Sequence, residues 1–201
     1  EIESGETVIV DTVSGGPEHI PPEGKGFDVP AELFDIHREC SAMLPGHILT
    51  GPIAVKGAAP GDVLQVDIIN IFLRQNWGWN IIRPLSGTLP DEFQTTRQVI
   101  IPLNLKTKMA ELSWGLQLPI IPFFGVMGVA PPKNWGRISS IQPRMHGGNI
   151  DNKELNHDIF GEVCYCPRAK ANVLCFAMVN DAFEVEFNKK DDAFYVHTGS
   201  E

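Results

Sequence analysis

The densest group of side chains able to do chemistry is Arg144-Met-His146-Gly147-Gly148-Asn149-Ile-Asp151-Asn152-Lys153. Around two adjacent glycines it gathers an imidazole, a carboxamide and a carboxylate. The glycines let the backbone turn tightly or approach a ligand closely, and the three polar groups cover proton transfer, oxyanion stabilisation and metal ligation. Composition alone leaves two readings open: a site loop, or a tight turn carrying a surface histidine and a capping aspartate.

Three further clusters compete with it. His47 is pinned in Pro45-Gly46-His47-Ile-Leu-Thr50-Gly51-Pro52, where the bland reading is a packed or solvated imidazole. Asp11-Thr-Val-Ser-Gly-Gly-Pro-Glu18-His19 reads as a strand end running into a glycine-rich turn. Gln75-Asn76-Trp77-Gly78-Trp79-Asn80 sets two tryptophans beside neutral amides, which would suit the wall of a small polar pocket, although core packing is the commoner use of such rings. Ser139-Ser140 invites a serine-amidase reading, but no glycine- and serine-rich stretch surrounds it, and a serine pair on a strand is the expectation. There is no phosphate-cradling loop ending in Lys-Ser/Thr, no His-Glu-x-x-His helix and no Gly-x-Ser-x-Gly elbow. Cys164-x-Cys166 lacks a second pair at zinc spacing.

The elements that must position these groups are short. Nineteen glycines and sixteen prolines divide apolar runs rich in Val, Ile and Phe, the pattern of strands between turns. Strands are expected at 7-13, 62-73, 97-103, 118-129, 172-179, 182-187 and 193-198. One helix is expected near 30-44, with Pro30 in its first turn and Leu33, Ile36, Cys40, Met43 and Leu44 on one face before Pro45-Gly46. The fold class is therefore mainly β, a sandwich or barrel-like domain with one short helix. At 201 residues the chain is taken as a single domain.

The formal charge of −9, with Lys and Arg scattered, offers phosphate backbones nothing and argues against a nucleic-acid partner. No run approaches the roughly 18 apolar residues of a membrane helix, so no membrane partner is expected. Four cysteines are too few for a disulfide framework in a chain able to build a core, which points to reduced thiols and a cytoplasmic location.

With those residues in view, the chain resembles the acetamidase/formamidase family. The resemblance rests on Asp11-Thr-Val-Ser-Gly-Gly-Pro-Glu18, Gly46-His-Ile-Leu-Thr-Gly-Pro52, Gly57-Ala-Ala-Pro-Gly-Asp-Val-Leu64, Trp77-Gly-Trp79, Pro122-Phe-Phe-Gly-Val-Met-Gly-Val-Ala-Pro131 and His146-Gly-Gly-Asn-Ile-Asp-Asn-Lys153. These blocks run in family order over residues 5 to 155. The resemblance implies a β-rich fold, hydrolysis of a short linear amide such as formamide or acetamide to ammonia and the carboxylate, a homo-oligomer and a divalent metal, with zinc the candidate. After Leu155 the chain departs from the family. A second site motif, of the form Gly-Asp-x-His-Ala-x-Gln-Gly-Asp-Gly-Glu, is missing, and residues 156-201 are divergent or truncated.

An amide needs an activated nucleophile, a stabilised oxyanion and an acid for the departing nitrogen. The resemblance implies metal-activated water, with His47, His146 and Asp11 as ligand candidates and Asp151, His146 and Asn149 as catalytic candidates. Gly147, Gly148, Trp77 and Trp79 are the expected substrate-binding residues, the glycines through their backbone N–H groups. His157, Asp158, Glu162 and His197 are the groups available to replace what the missing motif supplied. The competing expectation is a family relic or binding subunit that keeps the pocket without turnover.

Overall fold

Alternation of apolar and polar residues produces most of the strands, and the turns between them set the order. The computed structural model describes residues 1–152 and, as backbone, three later strands. In chain order these elements are β1 (Thr7–Asp11), α1 (Ala31–Glu39), β2 (Thr50–Ala54), β3 (Val63–Leu64), β4 (Asp67–Leu73), β5 (Trp77–Ile82), β6 (Arg97–Asn104), β7 (Met109–Glu111), β8 (Gln117–Pro119), β9 (Val126–Val129), β10 (Gly147–Asn149), β11 (Val173–Ala177), β12 (Asp181–Lys190) and β13 (Ala193–His197). Two 3-10 turns, Pro17–His19 and Lys133–Trp135, complete the regular structure. Among the described residues the chain is mainly β with one α-helix, and the sheets stay open rather than closing into a barrel.

Three sheets form. The first has five strands: β12 pairs with β1, β13 and β4, and β13 pairs in parallel with β3. The second runs β10-β9-β11-β2, all antiparallel, and the third is the meander β5-β6-β7-β8. The buried core joins the first two. Val10, Leu64, Val66, Ile68 and Ile71 from the first sheet and its connections meet Val55, Phe124 and Met127 from around the second. Val10 points inward while its neighbour Ile9 is exposed, as the two-residue period of a strand requires.

The expected strand at 62-73 is broken in two. Ile68 and Ile71 are both buried although three residues apart, which an unbroken strand cannot achieve. The register against β12 slips between Asn70 and Ile68, and this bulge returns both side chains to the core. The run at 118-129 is also split, into the end of β8 and into β9, because Pro122 between them has no N–H to give a ladder. The helix stops at Glu39, short of the expected 44. Cys40 already takes an extended conformation, and Met43 and Leu44 are exposed, so no packed face draws the helix onward. Only Leu33 of the apolar stripe is buried.

The helix is tied to the sheet by Arg74. Its guanidinium donates to Glu32 on α1 and to the Thr12 carbonyl (3.1 Å), and lies 3.6 Å from the Asp11 carboxylate. That clasp fixes the β1 end, where the glycine-rich turn begins.

The packing assignment is checked by denaturation. Phe124→Ala removes a fully buried ring from the junction of the two sheets and is expected to cost about 3–5 kcal/mol in urea unfolding. Phe72→Ala, at an exposed ring, is expected to change stability by no more than about 0.5 kcal/mol. Equal effects of the two would contradict the core described above.

Candidate active site

The second sheet builds the site. In β9, Gly128 lies so close to the neighbouring strand that a Cβ would sit 2.6 Å from the His146 carbonyl oxygen. That oxygen accepts the Val129 N–H at 2.8 Å. Arg144 and Gly147 then exchange both N–H···O bonds at 2.9 Å, so Met145 and His146 occupy the corner of a tight two-residue turn. His146 is buried, its ring edge-on to Trp135 with centroids 6.0 Å apart, and its Nδ1 has no hydrogen-bond partner among the described residues. Burial holds its imidazole below the ordinary range, and the Arg144 guanidinium pushes the same way.

From the turn the chain enters β10 beside β9. Gly148 passes within van der Waals reach of the segment before it: a Cβ there would meet the Ser140 carbonyl at 3.1 Å. The Asn149 N–H donates to that same carbonyl at 2.8 Å. Ile150 and Asp151 both donate their N–H groups to the Gly125 carbonyl, at 2.9 and 3.0 Å, and Asp151 takes a left-handed backbone (φ 46°) that aspartate tolerates better than most residues. The Asp151 backbone is thereby fixed at the end of β10, with the residue exposed.

His47 arrives from the loop before β2. Ser140 Oγ accepts the His47 backbone N–H at 2.9 Å and lies 3.0 Å from the ring Nδ1 of the same histidine. The neighbouring Ser139 Oγ donates to the Pro45 carbonyl. Two serine hydroxyls therefore staple the 45–47 loop to residues 139–140, across 93 positions of sequence. Burial lowers the His47 pKa, while the Asp151 carboxylate acts on it in the opposite direction. The fold thus joins His47 to Ser140, puts His47 within the field of Asp151 and ties Asn149 to the Ser140 backbone, with His146 on the turn before β10.

Other expected site residues go elsewhere. Asp11 is exposed and beside Arg74, so its charge is answered by the helix clasp rather than aimed at His47. Trp77 is buried in the core and its indole N–H donates to the Asp28 carbonyl at 2.8 Å, which removes it from any pocket wall. Gln75 and Asn76 likewise spend their amides on backbone, Asn76 holding Gly26 and Asp28. Trp79 stacks on His19, with centroids 3.7 Å apart and planes 8° from parallel. The Gly147 N–H is already given to Arg144, so it has no proton left for an oxyanion, and Gly148 serves close backbone packing.

Ser140, expected as half of a serine pair on a strand, lies instead in the irregular segment before β10, and its pairing with His47 is not legible in the sequence. A hydroxyl carries no signal of its own, and its partner lies far away along the chain. The nearest available clue was the glycine at 46: a Cβ there would stand 2.6 Å from Ser140 Oγ, so the Gly-His pair marks a point of close approach.

The donor set was also compared with what a catalytic metal requires, namely three protein ligands and one open position. The buried, unpartnered His146 Nδ1 has the character of a ligand. Among the described residues, however, no three His, Cys, Asp or Glu side chains are grouped closely enough to hold an ion, and His47 Nδ1 is engaged by Ser140. The expected set of His47, His146 and Asp11 is therefore not assembled there. The segment at 156–172, including His157, Asp158, Glu162 and the departure from the family pattern, lies outside the described residues, and His197 is described only as the backbone end of β13. Among the described residues no helix is long and apolar enough to cross a membrane.

Comparison with solved structures extends these observations. An acetamidase from Bacillus halodurans superposes with a TM-score of 0.68 at 24% identity, over 99% of this chain and 64% of that one. An acetamidase from Yersinia enterocolitica gives 0.63 at 25% identity, over 98% and 64%. A gamma lactamase from Delftia acidovorans gives 0.69 at 19% identity, over 97% and 60%, a likeness of fold alone. The chain thus spans less than two thirds of the length of each of these proteins. No curated protein matches the chain. The model of the acetamidase/formamidase family matches residues 1–140 of the 201, a stretch that takes in both His47 and Ser140. The chain belongs to the acetamidase/formamidase family.

Proposed function

We propose that this chain hydrolyses short linear amides, formamide or acetamide in the first instance, to ammonia and the carboxylate. The observation that carries the reading is the His47 imidazole itself: kept neutral by burial, held by the Ser140 hydroxyl, and within the field of the Asp151 carboxylate. A neutral imidazole so placed can take a proton from an attacking oxygen and return it to the departing nitrogen. Asp151 stabilises the imidazolium formed between those two steps. Asn149, whose backbone is bonded to that of Ser140, offers its carboxamide to the developing oxyanion. Family membership and the likeness to two acetamidases support the substrate class.

No step is assigned to a metal, because the described donors do not complete a ligand set. A divalent ion at His146 would need further ligands from outside the described residues, and metal analysis of the purified protein is the direct measurement. A homo-oligomeric assembly, implied by the family resemblance, and a cytoplasmic location, expected from the cysteine usage, remain part of the same proposal.

Ammonia release from formamide and acetamide tests the assignment. His47→Ala is expected to lower kcat/KM by about 10²–10⁴-fold with the fold retained by circular dichroism. Binding of acetamide without ammonia release by the unsubstituted protein would instead establish a pocket that has lost turnover.

The pH profile gives a second test, with a definite sign. Only neutral His47 accepts a proton, so kcat/KM rises with pH through the His47 pKa, and burial puts that limb below the ordinary imidazole value of about 6.5. Asp151 raises this pKa, so Asp151→Asn is expected to move the limb to still lower pH, whatever it does to the plateau. A limb that moves upward would contradict the pairing of Asp151 with His47.

A further inference from the structure

We propose that Ser140 is the nucleophile of the reaction, so that hydrolysis passes through an ester of its hydroxyl; this rests on the amide-hydrolase reading above. Ser140 Oγ is held from two sides by one residue. The His47 backbone N–H donates to it at 2.9 Å, and the ring Nδ1 of His47 lies 3.0 Å away. In the tautomer of His47 that carries its proton on Nε2, the hydroxyl donates to Nδ1, the geometry of a nucleophile paired with its base. The N–H bond also favours negative charge on the oxygen as the proton leaves.

The surroundings fit attack as well as orientation. Ser140 is only partly buried, in the irregular segment between the 3-10 turn at Lys133–Trp135 and β10. Its backbone is fixed by the Asn149 N–H and by the close passage of Gly148. On the side of the hydroxyl stands Gly46, where a Cβ would come within 2.6 Å of Oγ. The hydroxyl packs against the Gly46 backbone there, an approach that no larger residue would allow.

The step balances without any other reactant. Oγ forms a bond to the carbonyl carbon while its proton passes to His47 Nδ1. Collapse of the adduct breaks the C–N bond, and the same proton leaves with the nitrogen as ammonia. Water then adds to the ester, giving its proton to His47, and the Oγ–C bond breaks as that proton returns to Ser140. The products are ammonia and the carboxylate, and the enzyme is restored.

The test uses the full chain with acetamide, comparing unsubstituted protein, Ser140→Ala and Ser140→Cys, and combines ammonia release with mass spectrometry of acid-quenched mixtures. Ser140→Ala is expected to lose on the order of 10³-fold or more in kcat. Ser140→Cys is expected to carry an acetyl group on residue 140, as a thioester that breaks down slowly enough to be mapped. Ammonia release by Ser140→Ala within about 10-fold of the unsubstituted rate overturns the nucleophile and leaves amide hydrolysis standing. Loss of activity in Ser140→Ala with no acylation of Ser140→Cys reduces Ser140 to a positioning group and overturns the proposal as well. Absence of ammonia release by the unsubstituted protein fails both readings together.

Discussion

The site depends on how closely two backbones can approach at β9. Because Gly128 has no side chain, the His146 carbonyl occupies the space that a Cβ would take and receives the Val129 N–H. Immediately before β9, the Gly125 carbonyl collects the N–H groups of Ile150 and Asp151. One short strand thus fixes the backbone at both ends of the polar block, at His146 and at Asp151. Each such hydrogen bond contributes only about 0.5–1.5 kcal/mol, and it is their number over so few residues that makes the arrangement rigid. Met127 on the same strand is buried in the core shared by the first two sheets, so the site inherits the stiffness of the packing beneath it.

Against that fixed platform, His47 is brought in from a loop and held by serine hydroxyls. The loop has little packing of its own: Met43 and Leu44 are exposed, and His47 is half-buried. Its position therefore depends on polar contacts with residues 139–140 more than on apolar burial. This division suits a proton-transfer group. The imidazole is desolvated enough to stay neutral, yet the Asp151 charge close to it makes protonation accessible when the chemistry demands it. His146 lacks that counter-charge, having Arg144 nearby instead, and remains a buried neutral ring.

How much of this was legible in the sequence differs from element to element. The mainly β class, the strand at 97-103 and the strands near 182-187 and 193-198 follow from short β-branched runs between turn residues, and regular structure appears in each place. The bulge in 62-73 was hidden, because a register slip depends on the partner strand, which comes more than a hundred residues later. Two tryptophans around a glycine leave a pocket wall and core packing both open in the sequence, and pairing with β6 and burial of Trp77 decide for packing. β10 was read as a loop because glycines carry no strand preference, and only the ladder to β9 makes it a strand.

The sequence by itself determined which residue types were available and where the chain could turn: the double glycine after His146, the acid at 151, the Gly-His step at 46–47 and the family to which these blocks belong. These are local properties, set by the backbone freedom and ionisation chemistry of each residue. Only the tertiary structure decided which of them meet. It placed Ser140 on His47 across 93 positions, turned Asp11 toward Arg74 and gave Trp77 to the core. The reason is physical: a hydrogen bond or a buried ring is satisfied by whatever the sheets bring within reach, and that proximity comes from strand pairing and packing between distant segments, which no local pattern encodes.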